Sequence, residues 1–402
     1  MTASSTLVER PALVFEPPAP HRRLLALDGV RGFAALAVMC FHFGRDEVRT
    51  AGSAFVGTVT QFGWTGVDLF FVLSGFLITG ILLDSRENPH FFRTFYTRRA
   101  LRIFPLYFIF VGAFIYLISP RIPGPPSDLA SRQLWLWTYL GNIDIARHGG
   151  YSGAGSNANV LWSLSIEEQF YLLFPLAVFL LPRRRLGVLA VAVIVLSIVA
   201  RALMARAGES WFMGYFMTVS RLDGLGMGVL LAILARSEKG LDRLVPYARP
   251  LILLLGACVV GLTIRLGRFR YGDWTTLVLG MPAMTLLYTA VMLLVIAPSA
   301  GTFTHRAFGH YALRFLGKYS YSLYIWHTAT GGFVRRAGVK QSHLLELWNS
   351  GLAASLAVLV VKILVSIGVA MVSYRLIELP FLRLRAHLAR DVQAVPVSIG
   401  RA

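Results

Sequence analysis

Ten stretches of this 402-residue chain are apolar over a length that can cross a hydrocarbon layer of about 30 Å, which takes roughly 17–25 helical residues each. They lie near 25–44, 60–83, 103–119, 162–181, 187–204, 212–235, 250–267, 275–297, 312–334 and 350–378. In lipid every backbone polar group must be satisfied within the chain, and runs of this length do so as helices. The expectation is an all-α integral membrane protein of about ten transmembrane helices around an intramembrane polar site. Composition agrees: 56% of residues are hydrophobic and only 15% charged, where a soluble domain is nearer a quarter charged. No internal repeat is visible, nor any soluble domain after the last helix. Cys40 and Cys258 are the only cysteines and both lie in apolar runs, so neither a disulfide framework nor a metal site is expected.

The net charge of +19 would suit nucleic acid if it were clustered, but it is distributed by topology. With the N-terminus cytoplasmic, the inner segments hold 22 basic residues and the outer loops 12. That excess places both termini in the cytoplasm of a multi-pass inner (plasma) membrane protein. It also accounts for the charge with a lipid bilayer and no nucleic acid as partner. Arg265, Arg268 and Arg270 are the exception, because three arginines on an outer loop would prefer the inside. The organisation expected is a disordered cytoplasmic tail over 1–23, a membrane domain over 24–382 and a basic cytoplasmic tail over 383–402. A cleaved signal peptide is disfavoured, since Asp28 and Arg31 would fall inside its apolar core.

Several helices carry charges that insertion scales penalise by about 2.5–3.5 kcal/mol each at mid-membrane. The first, "LDGVRGFAALAVMCFHFGRD", contains Asp28, Arg31 and His42. Arg31 and His42 are eleven residues apart, which is about 20° from three whole turns and about 16 Å along the axis. One stripe of this helix is therefore polar at two depths. Structural bonding to neighbouring helices is the bland explanation; an Arg and a His on one stripe favour a functional one. In the second span, "GVDLFFVLSGFLITG" places Asp68 and Ser74, and its Gly75 and Gly80 permit close helix contact. "FYTRRALRIFPLYF" sets Arg98, Arg99 and Arg102 at the mouth of the third helix. They serve the positive-inside signal or, forked toward one place, bind phosphates.

"LWSLSIEEQFYLLFPL" opens the fourth span with Glu167 and Glu168, explicable by the helix dipole with Ser163 or Ser165 as N-cap. Glu167 is expected at the depth of His42, and a carboxylate beside an imidazole can transfer protons. "SRLDGLGMG" adds Arg221 and Asp223, read as an intrahelical or interhelical ion pair. "GKYSYSLYIWH" adds His327, and Glu378 is expected to partner Arg375 or another cytoplasmic arginine.

Taken in order, these strings resemble the acyltransferase-3 family, whose members O-acylate bacterial surface polysaccharides, lipopolysaccharide, peptidoglycan and some macrolides. The resemblance runs from Leu27 to about Pro380. It rests on the spacing of Arg31 and His42, on "FFVLSGFLI", and on Arg99 and Arg102 followed by "IFPLY". "WSLSIEEQFYLLFP", "RLDGLGMG" and "YSYSLYIWH" complete it. The resemblance implies an O-acyltransferase that takes an acyl group, acetyl by default, from cytoplasmic acyl-CoA (acetyl-CoA) as co-substrate and passes it to an acceptor hydroxyl. No permanently bound cofactor is implied. Some members carry an extracytoplasmic SGNH hydrolase-like domain; this chain ends at Ala402 and is expected to act without one.

With the resemblance beside the residues, His42 is the expected general base on the acceptor and Glu167 orients or charge-balances it. Arg99, Arg102 and Arg98 hold the CoA phosphates, and Arg31, positioned by Asp28, contacts the pantetheine arm or the acyl carbonyl. Asp68, Ser74, Arg221, Asp223 and His327 are supporting residues. The acceptor is expected to be a glycan of the cell surface, with the aromatic "LWLWTYLGN" of the 119–161 loop stacking its sugars; a lipophilic acceptor such as a macrolide is the alternative. A proton-coupled transporter or flippase of an anionic solute is the competing class. Against it stands the lack of an inverted repeat or of a matched pair of broken helices.

Overall fold

In the computed structural model the described residues are 25–44, 50–122, 127–237, 240–297 and 302–385. The expected tail over 1–23, residues 386–402 of the other tail, and the loop positions 45–49 and 123–126 lie outside them. The fold is about 85% helical with no strand among the described residues. It is an all-α integral membrane protein.

Among the described residues, eight helices are long and apolar enough to cross a membrane. In chain order these and the shorter elements between them are α1 (Leu25–Phe43), α2 (Ala51–Asp84), α3 (Phe91–Arg121), α4 (Gly153–Leu180) and α5 (Arg183–Arg206). Next come α6 (Trp211–Phe216) and α7 (Leu222–Ala235), then α8 (Asp242–Leu266) and α9 (Thr276–Ile296). The last are α10 (Tyr311–Lys318), α11 (Ser320–Arg336) and α12 (Gly351–Arg385).

The difference from ten continuous spans is physical. The expected span 212–235 is two helices, because Met217 leaves the helical region (φ −67°, ψ 138°) before the turn Thr218–Ser220. The expected span 312–334 is likewise divided at Tyr319. Apolar periodicity runs straight through both breaks, so hydropathy sees one segment where the backbone has two. The absence of a broken-helix pair, used above against a transporter, therefore fails as an argument. α3 is also longer than expected: Arg98, Arg99 and Arg102 lie inside its third and fourth turns, not at its start.

Small residues set the closest approaches. A Cβ on Gly75 would lie 2.1 Å from the Leu225 carbonyl oxygen, and one on Gly228 2.2 Å from that of Val72. α2 and α7 thus touch backbone to backbone, the arrangement small residues permit where hydrophobicity cannot drive helix association in lipid. Asp84 and Arg236 close the end of this pair with two hydrogen bonds of 2.7 Å.

The 267–273 loop, with two of its three unexpected arginines, is fixed by Phe269. That ring is buried and stacks on Trp64 of α2, with ring centroids 5.5 Å apart. The Phe269 N–H donates to Gln61 Oε1 (3.1 Å), and Trp64 Nε1–H donates to the Phe269 carbonyl (3.4 Å). Trp64 and His42 line one cavity, so the loop belongs to the His42 end of the bundle.

Candidate active site

Two cavities follow one another along the bundle. The first, about 530 Å³, is lined by Val38, Phe41 and His42 of α1, Trp64 and Val67 of α2, and Trp162 of α4. Trp211 and Tyr215 of α6, Tyr271, and Tyr324 and Arg335 of α11 complete much of its wall, with Lys362 of α12 entering from the side. The second, about 100 Å³, is lined by Arg31, Ser74, Arg99, Arg102, Ser163, Glu167, Tyr171, Tyr321 and Tyr324. α1, α2, α4 and α11 each contribute to both cavities, with successive stretches of the same helix.

Tyr324 lines both cavities and partitions them. Its hydroxyl lies 2.6 Å from Ser163 Oγ and 3.0 Å from the Val160 carbonyl oxygen. The serines of "WSLS" thus do other work than capping. α4 enters from a tight helical run over Gly153–Leu161, Leu161 makes no side-chain cap, and Ser165 Oγ donates back to the Leu161 carbonyl (3.3 Å).

The structure brings together most of the expected residues, in a different grouping. Arg31 lies 3.5 Å from Asp28, as read from the spacing. Arg99 and Arg102 of α3 face Arg31 of α1 across the small cavity, and Arg99 sits over the Tyr171 ring (5.4 Å to its centroid). Three guanidinium groups therefore converge with Glu167, which joins Ser74 and Tyr171 in the same wall. Glu167 was expected at the depth of His42. It instead lines the arginine cavity, five residues beyond Trp162, the last α4 residue that lines the His42 cavity. Arg98 is exposed, one position round the helix from Arg99, and does not line the cavity. Glu378 is buried and accepts a hydrogen bond from the Ser322 hydroxyl. Arg375, offered as its partner, is exposed.

His42 is exposed into the larger cavity, and its nearest described ring is His327, with centroids 5.0 Å apart. Asp68, Arg221 and Asp223 form interhelical pairs rather than an intrahelical one. Arg221 lies 3.0 Å from Asp68 of α2, and Arg201 of α5 lies 2.6 Å from Asp223 of α7. Arg221 also packs over the rings of Tyr215 (4.7 Å) and Trp162 (5.2 Å), so it backs the aromatic floor of the His42 cavity. Arg201 and Lys362 escaped the sequence reading. Arg201 lies inside the apolar run 187–204 and Lys362 inside 350–378, where a basic residue is costly and marks a partner or a task.

The aromatic residues of "LWLWTYLGN" do not line the larger cavity. Trp137 stacks on Phe108 (5.8 Å) and its indole N–H donates to Gln133 Oε1 (3.2 Å), so its ring serves packing. The aromatic wall comes from Trp64, Trp162, Trp211, Tyr215 and Tyr271. What the 127–161 segment supplies is a braced rim. Arg132 spans Asp144 (3.0 Å), Asp128 (2.7 Å) and the Gly149 carbonyl oxygen (2.9 Å). Although burial acts to raise it, the Asp128 carboxyl is held below the usual carboxylate range by hydrogen bonds from Ser152 and Arg132.

A family model described as an acyltransferase domain, that of the acyltransferase-3 family, matches residues 24–375. The chain belongs to the acyltransferase-3 family. It is 28% identical over 376 residues to the O-acetyltransferase OatA of Staphylococcus aureus, covering 89% of this chain and 57% of that protein. A protein of Bacillus subtilis named "Putative peptidoglycan O-acetyltransferase YrhL" is 25% identical over 375 residues, covering 90% of this chain and 55% of its own length. The chain thus spans somewhat over half the length of the curated relatives it matches. No solved structure matches it significantly. The match spans every element that lines the two cavities, so the acyltransferase domain and the cavity pair are one unit.

Proposed function

We propose that this acyltransferase moves an acyl group, acetyl by default, from cytoplasmic acyl-CoA to a hydroxyl of a cell-envelope or exported glycan. The single observation that carries the reading is the stacking of a three-arginine cavity and a His42 cavity along one helix, with Tyr324 between them. Glycan as acceptor is supported by the names of the relatives and by the aromatic lining of the larger cavity, whose flat faces suit sugar rings.

The donor enters from the arginine end. A cavity of about 100 Å³ admits a narrow chain rather than a nucleotide, so the nucleotide stays at its mouth and the pantetheine arm threads inward. Arg99 and Arg102 hold phosphate there with charge-assisted hydrogen bonds, and Arg31, steadied by Asp28, contacts the arm. The thioester reaches past Tyr324 toward His42, a distance set by the roughly 16 Å between Arg31 and His42 along α1. His42 takes the proton of the acceptor hydroxyl as its oxygen attacks the thioester carbonyl carbon. The carbon–oxygen bond forms, the carbon–sulfur bond breaks, and the departing CoA thiolate takes up a proton. Glu167, beside Arg31 and Arg99, balances their charge and takes no part in orienting His42.

Donor binding tests the first half. Arg99→Ala combined with Arg102→Ala is expected to weaken acetyl-CoA binding by tenfold or more, each charged hydrogen bond being worth about 1.5–3 kcal/mol. Isothermal titration on detergent-purified protein reads this directly. Unchanged affinity would leave both arginines as topology determinants and remove the donor site. Sidedness is tested by labelling intact cells with a membrane-impermeant thiol reagent in a background lacking Cys40 and Cys258. Gly150→Cys should react from outside and Arg86→Cys should not; the reverse pattern inverts the proposed direction of transfer. The interrupted helices α6–α7 and α10–α11 are the one feature a transporter would share. Glycan O-acyl content that is independent of the gene, measured by mass spectrometry, would turn the assignment toward that reading.

A further inference from the structure

His327 was placed among the supporting residues without a task, and the geometry assigns it one. Its ring is fully buried, and Nδ1 lies 2.7 Å from the backbone carbonyl oxygen of Tyr324. A carbonyl oxygen only accepts, so Nδ1 carries the ring proton and Nε2 is left with a bare lone pair. That Nε2 is buried and makes no hydrogen bond among the described residues. A buried acceptor left without a donor is unfavourable, so this nitrogen is poised to receive one.

Three rings surround His327: His42 at 5.0 Å between centroids, Tyr324 at 5.8 Å and Phe43 at 6.1 Å. Phe43 has no polar hydrogen. The Tyr324 hydroxyl is already engaged with Ser163 and Val160. His42 alone can bring a ring N–H. Two imidazoles joined by an N–H···N bond of about 2.9–3.0 Å have centroids about 5 Å apart once the ring radii are added. The observed separation of 5.0 Å is within reach of such a bond. The approach is built into the backbone: a Cβ on Gly331 would lie 2.7 Å from the Phe43 ring, so only glycine lets α11 close on α1 at this level.

We propose that His327 is a positioning residue for His42, its Nε2 accepting a hydrogen bond from a ring N–H of His42. The bond selects the tautomer of His42. One ring nitrogen is held as donor toward His327, and the other presents its lone pair to the cavity where the acceptor hydroxyl sits. It does for His42 what a carboxylate does for the imidazole in hydrolase triads, with a neutral acceptor that costs less to bury than a charge. The inference rests on His42 acting on the acceptor, and its test separates the two ideas.

In wild-type protein labelled with 15N-histidine in nanodiscs, solid-state NMR should show a correlation across an N–H···N bond between two rings. His42→Gln and His327→Gln assign it by its disappearance. His327→Phe, which keeps an apolar ring but no acceptor, should leave His42 as a mixture of tautomers. It should lower kcat by about 10–100-fold, the usual cost of losing a partner that orients a functional imidazole, with the acetyl-CoA KM within about twofold. His327→Gln, which can turn its amide oxygen toward His42, should recover most of kcat. Absence of the correlation, or a His42 tautomer unchanged in His327→Phe, overturns the proposal whatever the activities are. So does a His327→Gln protein that is folded yet no faster than His327→Phe. A correlation that is present while His42→Gln remains fully active would leave the pairing standing and overturn instead the assignment of His42 as base.

Discussion

Replacing His42 by glutamine is expected to reduce acyl transfer by about 10²–10⁴-fold, the range attributed to a positioned general base. Glutamine keeps approximately the volume and hydrogen bonding of the imidazole but cannot titrate near neutral pH. Binding of acetyl-CoA should survive, because the arginine cavity lies about 16 Å away along α1 and shares no wall with His42 except through Tyr324. The decisive comparison uses one preparation. The yield of monodisperse protein, donor affinity and transfer rate are measured side by side for wild type and His42→Gln. If only the rate falls, the histidine acts in chemistry. A stable variant with the wild-type rate would end that assignment. A purely structural histidine would lower the yield while the surviving protein kept its rate. Glu167 is poorly placed to take over as base, because it lines the arginine cavity; its loss should weaken donor binding before it slows transfer.

The sequence exposed what is local along a helix and concealed what depends on how helices meet. The stripe joining Arg31 to His42 follows from eleven residues of helical geometry, and the Asp28–Arg31 contact from a spacing of three. Both are in the fold. Gly75 announced a close helix approach by its size, and the approach to α7 is there. His327 lies 285 positions beyond His42, and no periodicity relates them. Separation in sequence likewise hid the meeting of Arg31 with Arg99, 68 positions on, and the partition at Tyr324. The aromatic wall of the larger cavity was not legible for a related reason. Trp137 stood out because its neighbours are aromatic, whereas Trp64, Trp211 and Tyr271 come from three separate segments and converge only in the fold. The helix breaks at 217–221 and Tyr319 were invisible because hydropathy averages over a window wider than the break. The apolar runs of ten expected spans and eight uninterrupted helices are otherwise nearly the same residues.

The buried pair Arg201–Asp223 should prove the most stability-sensitive polar contact at the site. Arg201 is 0% exposed within α5 and donates to the Asp223 carboxylate (2.6 Å) and to the Ser220 carbonyl oxygen, both at the α6–α7 break. Asp223 sits two residues from Arg221, whose guanidinium backs Trp162 and Tyr215 in the His42 cavity. Removing one member of a buried pair leaves an uncompensated charge, at a cost of about 3–5 kcal/mol. Removing both costs far less, because the surviving apolar groups need no counter-charge. Asp223→Leu is therefore expected to lose most of its monodisperse fraction after brief heating in detergent, at temperatures the wild type withstands. Arg201→Leu, which strands the carboxylate, should fail similarly. The double variant Arg201→Leu with Asp223→Leu should recover much of the thermal resistance. Its activity is a separate matter, since the break that aims Arg221 at the cavity floor would have lost its anchor: stability should return further than rate. Size-exclusion profiles after a temperature series, read beside acyl transfer on the same samples, measure both. A double variant as fragile as either single one would show that the two residues do not act as a pair. A stable and fully active double variant would show that the pair does not hold the α6–α7 break in its working geometry.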